Sequence, residues 1–407
     1  MNALDSVGRS VSALRGEGRG RVLLAVASGW GLLVGTRMSY PVLLPYIREA
    51  YGLSLSVAGL LVTTIWLGSA LGQLPGGILA DRYNERHIMT VALVAVAFAL
   101  SIVVLTGSPV VVFLATGLVG LGLSLYPIAR ITVLTDIYPE HIGSALGVTM
   151  ATGDIGQTVF PPIVGLLAAA VAWQLGLGLF VPLFLFLAAV VWVVVPDGES
   201  GGDTGFSVAT ARKVLGELRT TSMAIVTVVL FVYILVWQSF TGFYPTYLVE
   251  VKGLSPSIAG TVFALFFGVG VVVKPVSGAA YDRIGMRGSL LAVLVGPVLG
   301  LGALPFIDGF WTIVGVTALV STMLGSGAIT QSYLADTIPA DIRGTGLGVV
   351  RTTAASLGSA GPVLFGILAD RGFFDEGYLV LAVLMVFIIV LTLRLPRNEV
   401  PSAPDGE

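Results

Sequence analysis

The chain has 407 residues, of which 56% are hydrophobic and 11% charged, and its mean hydropathy is +0.96. This amount of polar surface is too small to cover a soluble globule, so the composition excludes an ordinary soluble protein and indicates a chain that lives in lipid. The formal net charge of -2 gives no overall field that would attract nucleic acid. The absence of cysteine excludes disulfides, thiolate metal ligands and cysteine nucleophiles.

Apolar stretches of about 20 residues, the length needed to cross a bilayer, fit the chain twelve times. The predicted spans are 22–47, 55–79, 88–107, 110–135, 143–170 and 174–195, followed by 223–249, 256–280, 289–307, 310–335, 345–369 and 376–395. The sequence therefore predicts an all-α membrane protein with two six-helix bundles, 22–195 and 223–395. A polar N-terminal tail (1–21), which lacks the apolar core of a signal peptide, a polar linker (196–222) and a C-terminal tail (396–407) complete the chain.

Basic residues are distributed unequally between the two sides of the predicted membrane. The side that holds both termini and the linker carries 14 Lys and Arg, whereas the other side carries three, namely Arg48, Lys252 and Arg371. Because Lys and Arg favour cytoplasmic loops, we predict that both termini and the linker are cytoplasmic and that the protein lies in the plasma (inner) membrane of the cell.

The second half of the chain repeats the first at an offset of 201 residues. The segment Gly77–Arg86 returns as Gly278–Arg287, with its glycine, its Asp-Arg pair and its final arginine in register. The segment Gly52–Gly59 returns in the same way as Gly253–Gly260. This repeat indicates a duplicated helical bundle, and duplicated bundles commonly form transport paths at the interface between their halves.

The repeated segment resembles the loop signature of the major facilitator superfamily, in which a glycine, an Asp-Arg pair and a basic residue join spans two and three and recur between spans eight and nine. A second signature agrees, because Asp136 and Pro139 at the end of span four recur as Asp336 and Pro339 at the end of span ten. The resemblance covers essentially the whole chain and implies a twelve-span secondary transporter. We expect a monomer whose partners are the lipid bilayer and a small molecule, with no cofactor and no metal.

The same resemblance implies a latch on the cytoplasmic face, in which the charged loops bind the ends of spans four and ten. Carboxylates near helix N-termini and guanidiniums near helix C-termini complement the helix dipoles, and Arg-carboxylate pairs can break and re-form. The alternative is that these charges only cap tight loops and fix the orientation of the protein. The predicted gate residues are Asp81, Arg82, Arg86 and Asp136 in the first half and Asp282, Arg283, Arg287 and Asp336 in the second.

Five ionisable residues fall inside predicted spans, away from their ends: Arg37, Arg130, Asp154, Lys274 and Arg351. Each costs roughly 2.5–3.5 kcal/mol at a helix centre. The repeat does not duplicate them, so a folding requirement common to both halves cannot explain them. They favour a site that is made once, at the interface between the halves.

The four cations and one carboxylate leave a surplus of positive charge, which an anionic ligand would balance. Arg37 lies close to mid-span, whereas Arg130, Lys274 and Arg351 lie nearer the cytoplasm, where a long side chain can partly reach water. We rank Arg37 and Arg351 first as partners of the substrate's charge, and Lys274 and Arg130 next. Side chains that could complete the lining, although such residues more often serve in packing, are Tyr40, Tyr126, Trp237 and Gln331.

Asp154 has two interpretations. It can neutralise one of the arginines, or it can be the protonatable group that couples substrate movement to a proton gradient, because burial and neighbouring charges shift the pKa of a carboxyl in opposite directions. The sequence leaves both open.

Two branches of the superfamily show weaker resemblances. Arg37 with Tyr40 and Pro41, together with the segment Gln73–Asp81, is similar to members that carry organic anions with cations, and the pair formed by Lys274 and Arg351 is similar to that of oxalate:formate exchangers. Span four departs from the anion:cation symporters, because Gly120–Tyr126 contains no carboxylate.

The leading interpretation is a carrier of a small organic anion that works by alternating access, through proton symport or exchange. One alternative is a proton-coupled drug efflux antiporter, although span five lacks the full glycine-rich signature of those proteins. Another is a membrane sensor on the same scaffold that moves no solute. Enzymatic function is not expected, since the sequence has no phosphate-binding loop and no metal-ligand cluster, and its two histidines lie near loop ends.

Overall fold

A computed structural model describes residues 19–73, 76, 79, 83–197, 221–338 and 343–395. The described part of the first half contains six helices, and α6 consists of two consecutive segments. Their bounds are Arg19–Tyr51 (α1), Leu55–Leu71 (α2), Glu85–Leu105 (α3), Pro109–Ile137 (α4), Ile142–Ala170 (α5), and Trp173–Gly178 with Phe180–Val194 (α6). The predicted N-terminal tail up to residue 18, most of the linker and the C-terminal tail lie outside the described residues.

Residues 221–338 and 343–395, the described part of the second half, also contain six helices. Its continuous helix Pro256–Ala303 is broken in geometry only at Gly285, where φ is 70°, so we number residues 256–284 as α8 and 286–303 as α9. The other bounds are Thr221–Glu250 (α7), Phe310–Ser321 with Leu324–Thr337 (α10), Arg343–Gly358 with Gly361–Asp370 (α11), and Phe374–Leu393 (α12). A positive φ favours glycine, so Gly285 allows the chain to change direction within one residue.

Nine of the described helices, counting the continuous helix as one, are long and apolar enough to cross a membrane. Three further observations account for the twelve predicted spans. Gly285 divides one of the nine, α2 is apolar but has a shorter described length, and α5 is long enough but carries Asp154, Gln157 and two prolines. The short loop predicted between spans eight and nine is replaced by helix that continues to Gly285 from both sides.

The chain forms two compact units. The first contains residues 1–52 and 64–205, and the second contains residues 53–63 and 206–407. The two units repeat the same packing: α1 packs on α5 as α7 packs on α11, and α3 packs on α4 and α6 as α9 packs on α10 and α12. The sequence repeat is therefore matched by a repeat of helix contacts.

Glycines allow the backbones of α1 and α5 to approach closely within the first unit. A Cβ at residue 31 would lie 2.7 Å from the carbonyl oxygen of Thr152, and a Cβ at residue 156 would overlap the carbonyl oxygen of Gly31. Small residues at such crossings permit the tight van der Waals packing on which helix association in lipid depends. This crossing fixes α1, the helix that carries Arg37.

The second unit includes the start of α2. The backbone N–H groups of Leu55 and Ser56 donate to the two carboxylate oxygens of Asp370, at 2.6 and 2.8 Å, at the end of α11. The first N–H groups of a helix have no partner within it, so this carboxylate satisfies them and complements the helix dipole.

Candidate functional site

Arg37 lies on α1 beside the indole ring of Trp66 on α2. Its guanidinium carbon is 4.2 Å from the ring centroid, and its side chain is half-buried. Its Nε is buried and has no hydrogen-bond partner within the described part of the chain. The ring face attracts the cation without neutralising its charge, so the Arg37 guanidinium keeps an open donor beside an uncharged partner.

Arg130 on α4 also lies against an indole ring, as Arg37 does, but it is more deeply buried. Its guanidinium carbon is 4.1 Å from the ring centroid of Trp30 on α1, and its side chain is 6% exposed. Its Nε and Nη1 are buried and lack hydrogen-bond partners among the residues described. Burial of this degree shows that Arg130 does not extend to water in this conformation, although its position nearer the cytoplasm would have allowed it.

The two tyrosines predicted to line the site are both fully buried in the first unit. Tyr126 donates its hydroxyl to the carbonyl oxygen of Val26 at 3.0 Å, which connects α4 to α1. Thr116 donates to the hydroxyl of Tyr40 at 3.5 Å, which makes a second contact between these helices. In this conformation both tyrosines pack helices together, and their contact with a substrate stays a prediction.

Asp154 lies on α5 and is half-buried. Its Oδ1 accepts a hydrogen bond from Nε2 of Gln157, one turn further along the helix, at 2.7 Å. An amide donor stabilises a carboxylate without neutralising it. This contact is compatible with both interpretations of Asp154, as a partner for a cation and as a group that takes up a proton.

Two of the predicted site residues contact each other in the second unit. Nη1 of Arg351 on α11 donates to Oε1 of Gln331 on α10 at 3.1 Å, and both side chains are exposed. Lys274 on α8 and Trp237 on α7 are half-buried. The sequence placed these residues on separate helices, and the structure brings one pair into contact, Arg351 and Gln331; their contact with a substrate stays a prediction.

Arg86, a predicted gate residue, contacts the end of α6. Its Nη2 is 2.6 Å from Oδ1 of Asp197, and its guanidinium carbon is 4.7 Å from the ring centroid of Trp192. The first turn of α3 lies against the end of α6, because these two helices pack together, and this brings Asp197 within reach. From the sequence we expected Arg86 to bind near Asp136, and no sequence pattern singled out Asp197 as its partner. Asp81 and Arg82 lie outside the described residues.

The second copy of the gate motif gives a related arrangement. Nη1 of Arg287 donates to the carbonyl oxygen of Leu395, just after α12, at 3.3 Å. The hydroxyl of Tyr281 donates to Oδ2 of Asp336 at 2.8 Å. The side chains of the remaining gate candidates in the described regions, Asp136, Asp282 and Arg283, are exposed. Tyr281 was not singled out by the sequence, since its counterpart in the first copy is an alanine.

Residues 26–361 match the sequence model of the Major Facilitator Superfamily. The chain belongs to this superfamily. It is 24% identical over 394 residues to the hexuronate transporter of Bacillus subtilis, which covers 91% of this chain and 93% of the relative. It is 27% identical over 402 residues to the probable sulfoacetate transporter SauU of Cupriavidus necator, with 91% of this chain and 92% of the relative covered.

Solved structures agree on the fold. A bacterial homologue of the human lysosomal transporter Spinster, solved in an inward-facing conformation, matches with a TM-score of 0.78 and 15% identity over 93% of this chain and 96% of that chain. The chain is thus an integral membrane transporter with the twelve-helix, two-bundle fold of the superfamily, and not an enzyme. The predictions of family and fold are confirmed.

Proposed function

We propose that this superfamily member carries a small organic anion across the membrane by alternating access, through proton symport or exchange. The observation that carries the proposal is the pair of arginines in the first unit, Arg37 and Arg130, which lie against indole rings and keep buried N–H donors without hydrogen-bond partners in the described regions. A buried cation has an unfavourable free energy unless an anion lies beside it, so these arginines favour the binding of an anionic substrate. In the second unit we assign Arg351 and Lys274 to the same task.

Two relatives support an anionic substrate. One is named for a hexuronate, which carries a carboxylate, and the other for sulfoacetate, which carries a carboxylate and a sulfonate. Both acid groups present two oxygens that can accept parallel hydrogen bonds from one guanidinium. The chemistry of the arginines and the names of these relatives therefore both support a small organic anion as the substrate.

Counterflow in vesicles tests the proposal. The purified protein is reconstituted into vesicles loaded with one unlabelled anion, and entry of the labelled anion is followed for glucuronate, sulfoacetate, phosphate and a panel of drugs. We expect counterflow with at least one carboxylate or sulfonate. Proton movement driven by a drug would instead support the efflux alternative, and binding without flux would support a sensor.

Removing the positive charges should weaken anion transport. We expect Arg37→Gln and Arg130→Gln each to raise the half-saturation concentration by about 30-fold or more, because loss of one partner of a buried charged contact costs about 2 kcal/mol or more. Glutamine is a suitable replacement, since the repeat places Gln238 opposite Arg37. Arg48→Gln is the control, because Arg48 lies on the same helix but in its last turn. Unchanged counterflow of every panel anion in both variants would refute the proposal.

Asp154 is the proposed coupling residue. We expect Asp154→Asn to retain exchange of the anion but to lose its accumulation against a gradient when a proton gradient is applied, because asparagine cannot take up a proton. Gln157→Met is the control, since it removes the hydrogen bond to Asp154 and leaves the carboxyl in place. If Asp154→Asn still accumulates the anion fully when a proton gradient is applied, Asp154 does not couple transport to protons and serves only as a partner for a cation.

We also infer that both termini face the cytoplasm. The chain contains no cysteine, so a single cysteine can be introduced and labelled without further changes. We expect Arg371→Cys to react with an impermeant thiol reagent added outside intact cells, because Arg371 follows α11 on the predicted outer side. Protection of that cysteine, with reaction only after the cells are opened, would reverse the orientation.

A further inference from the structure

The arginines of the first unit are held by aromatic rings on neighbouring helices. Arg37 on α1 lies 4.2 Å from the ring centroid of Trp66 on α2, and Arg130 on α4 lies 4.1 Å from that of Trp30 on α1. Trp66 is 8% exposed and Trp30 is half-buried. At both positions the ring partner belongs to a different helix from the arginine, so each contact also joins two helices.

A ring and a carboxylate stabilise a buried guanidinium in different ways. A carboxylate neutralises the cation and occupies its N–H groups, which leaves little for a ligand. An indole ring attracts the cation through its face, leaves the net charge in place and leaves the N–H groups in the guanidinium plane open. The buried donors that lack partners among the described residues, Nε of Arg37 and Nε and Nη1 of Arg130, fit the second situation.

We propose that Trp66 and Trp30 are positioning residues for anion binding, which hold the guanidiniums of Arg37 and Arg130 in a fixed plane while leaving their charge available to the substrate. This inference rests on the proposed function. Because each ring covers one face of its guanidinium, the anion approaches through the edge, where a planar carboxylate or a sulfonate can accept two parallel hydrogen bonds. The rings thereby select for the geometry of the acid group as well as for its charge.

The sequence repeat supplies a comparison inside the same chain. At the offset of 201 residues, Phe267 stands opposite Trp66 and Gln238 stands opposite Arg37. Phe267 is fully buried and contacts the rings of Phe263 and Phe266. The second half therefore keeps an aromatic residue for packing where it has no cation, whereas the first half combines the cation with tryptophan, the ring that attracts cations most strongly.

Fluorinated tryptophans test the proposal without changing the shape of the side chain appreciably. Tryptophan with one, two or three ring fluorines is introduced at residue 66, and separately at residue 30, by stop-codon suppression in the full chain. Each fluorine withdraws electrons from the ring face and weakens its attraction for a cation. We expect the half-saturation concentration for counterflow of the transported panel anion to rise stepwise, by about 2- to 30-fold over the series, with an unchanged maximal rate.

Three controls separate positioning from packing. The fluorinated series at Trp192, whose ring contacts Arg86 instead, should leave the half-saturation concentration unchanged. Trp66→Phe keeps a ring of the kind that the second half uses and should have a smaller effect than Trp66→Leu. Elution from a sizing column and the thermal midpoint confirm that each variant is folded, so a rise in half-saturation cannot be attributed to misfolding.

The outcomes are distinguishable. A half-saturation concentration that is unchanged, or that falls, as fluorines are added overturns the positioning role, because a ring that only fills space is insensitive to its electron density. If Arg37→Gln and Arg130→Gln abolish counterflow while the fluorinated proteins behave as wild type, this inference fails and the proposed function stands. If those glutamine variants transport every panel anion normally, the proposed function fails and the inference fails with it.

Discussion

The close approach of α1 and α5 predicts a large difference between two substitutions of the same kind on one helix. Gly156→Ala places a methyl group against the carbonyl oxygen of Gly31, where neither backbone can yield without separating the helices. Gly147→Ala, nine residues earlier on α5, places the same group in open space. Overpacking costs about 1–3 kcal/mol. Replacing a helical glycine by alanine gains up to about 1 kcal/mol at either position, so this gain cancels and the two variants should differ by the overpacking cost, about 1–3 kcal/mol.

Thermal unfolding of the purified protein in detergent, followed by tryptophan fluorescence, measures this difference. We expect Gly156→Ala to unfold at a lower temperature than wild type and Gly147→Ala to unfold at the same or a higher temperature. Since α1 carries Arg37, Gly156→Ala should also raise the half-saturation concentration for the anion. Equal unfolding midpoints for Gly156→Ala and Gly147→Ala would show that α1 and α5 are not packed as described and would refute the reasoning.

Two further contacts can be tested in the same way. Asp370→Ala should lower the free energy of unfolding by about 1 kcal/mol, the usual cost of losing a helix cap, because the N–H groups of Leu55 and Ser56 lose their acceptor; an unfolding midpoint equal to that of wild type would contradict this. Combining Arg86→Cys with Asp197→Cys should allow a bifunctional thiol reagent to join the two positions without loss of counterflow, because both residues lie in one unit. Loss of counterflow on cross-linking would show that the contact must break during transport.

The positions of the helices could be predicted because each depends on the apolar character of its own stretch of sequence. Span five was predicted at 143–170 and α5 is Ile142–Ala170. Any stretch that must satisfy its own backbone hydrogen bonds in lipid forms a helix, and polar loops mark its ends. The loop predicted after span eight was wrong because charged residues such as Asp282 are compatible with helix, and only the positive φ of Gly285 breaks the geometry.

The ionisable residues of the candidate site could be identified from the sequence for a similar reason, since a charge within an apolar stretch is costly wherever its helix packs. Their partners were not, because Arg37 and Trp66 lie on different helices and no local pattern relates them. One signal was nevertheless present in the sequence. Tryptophan is enriched at membrane interfaces, and Trp66 lies in the middle of a predicted span, where a specific contact is a better explanation than an interfacial role.

The final arginines of the two gate motifs differ from the other charges of the motif in what they contact. Its final arginine contacts the end of the last helix of its own half in both copies: Arg86 pairs with Asp197 after α6, and Arg287 donates to the carbonyl oxygen of Leu395 after α12. Each contact lies within one unit, so we expect it to stabilise that unit and to persist during transport. We therefore propose that a latch between conformations depends on the other charges of the motif, the Asp-Arg pairs and the acidic residues at the ends of α4 and α10.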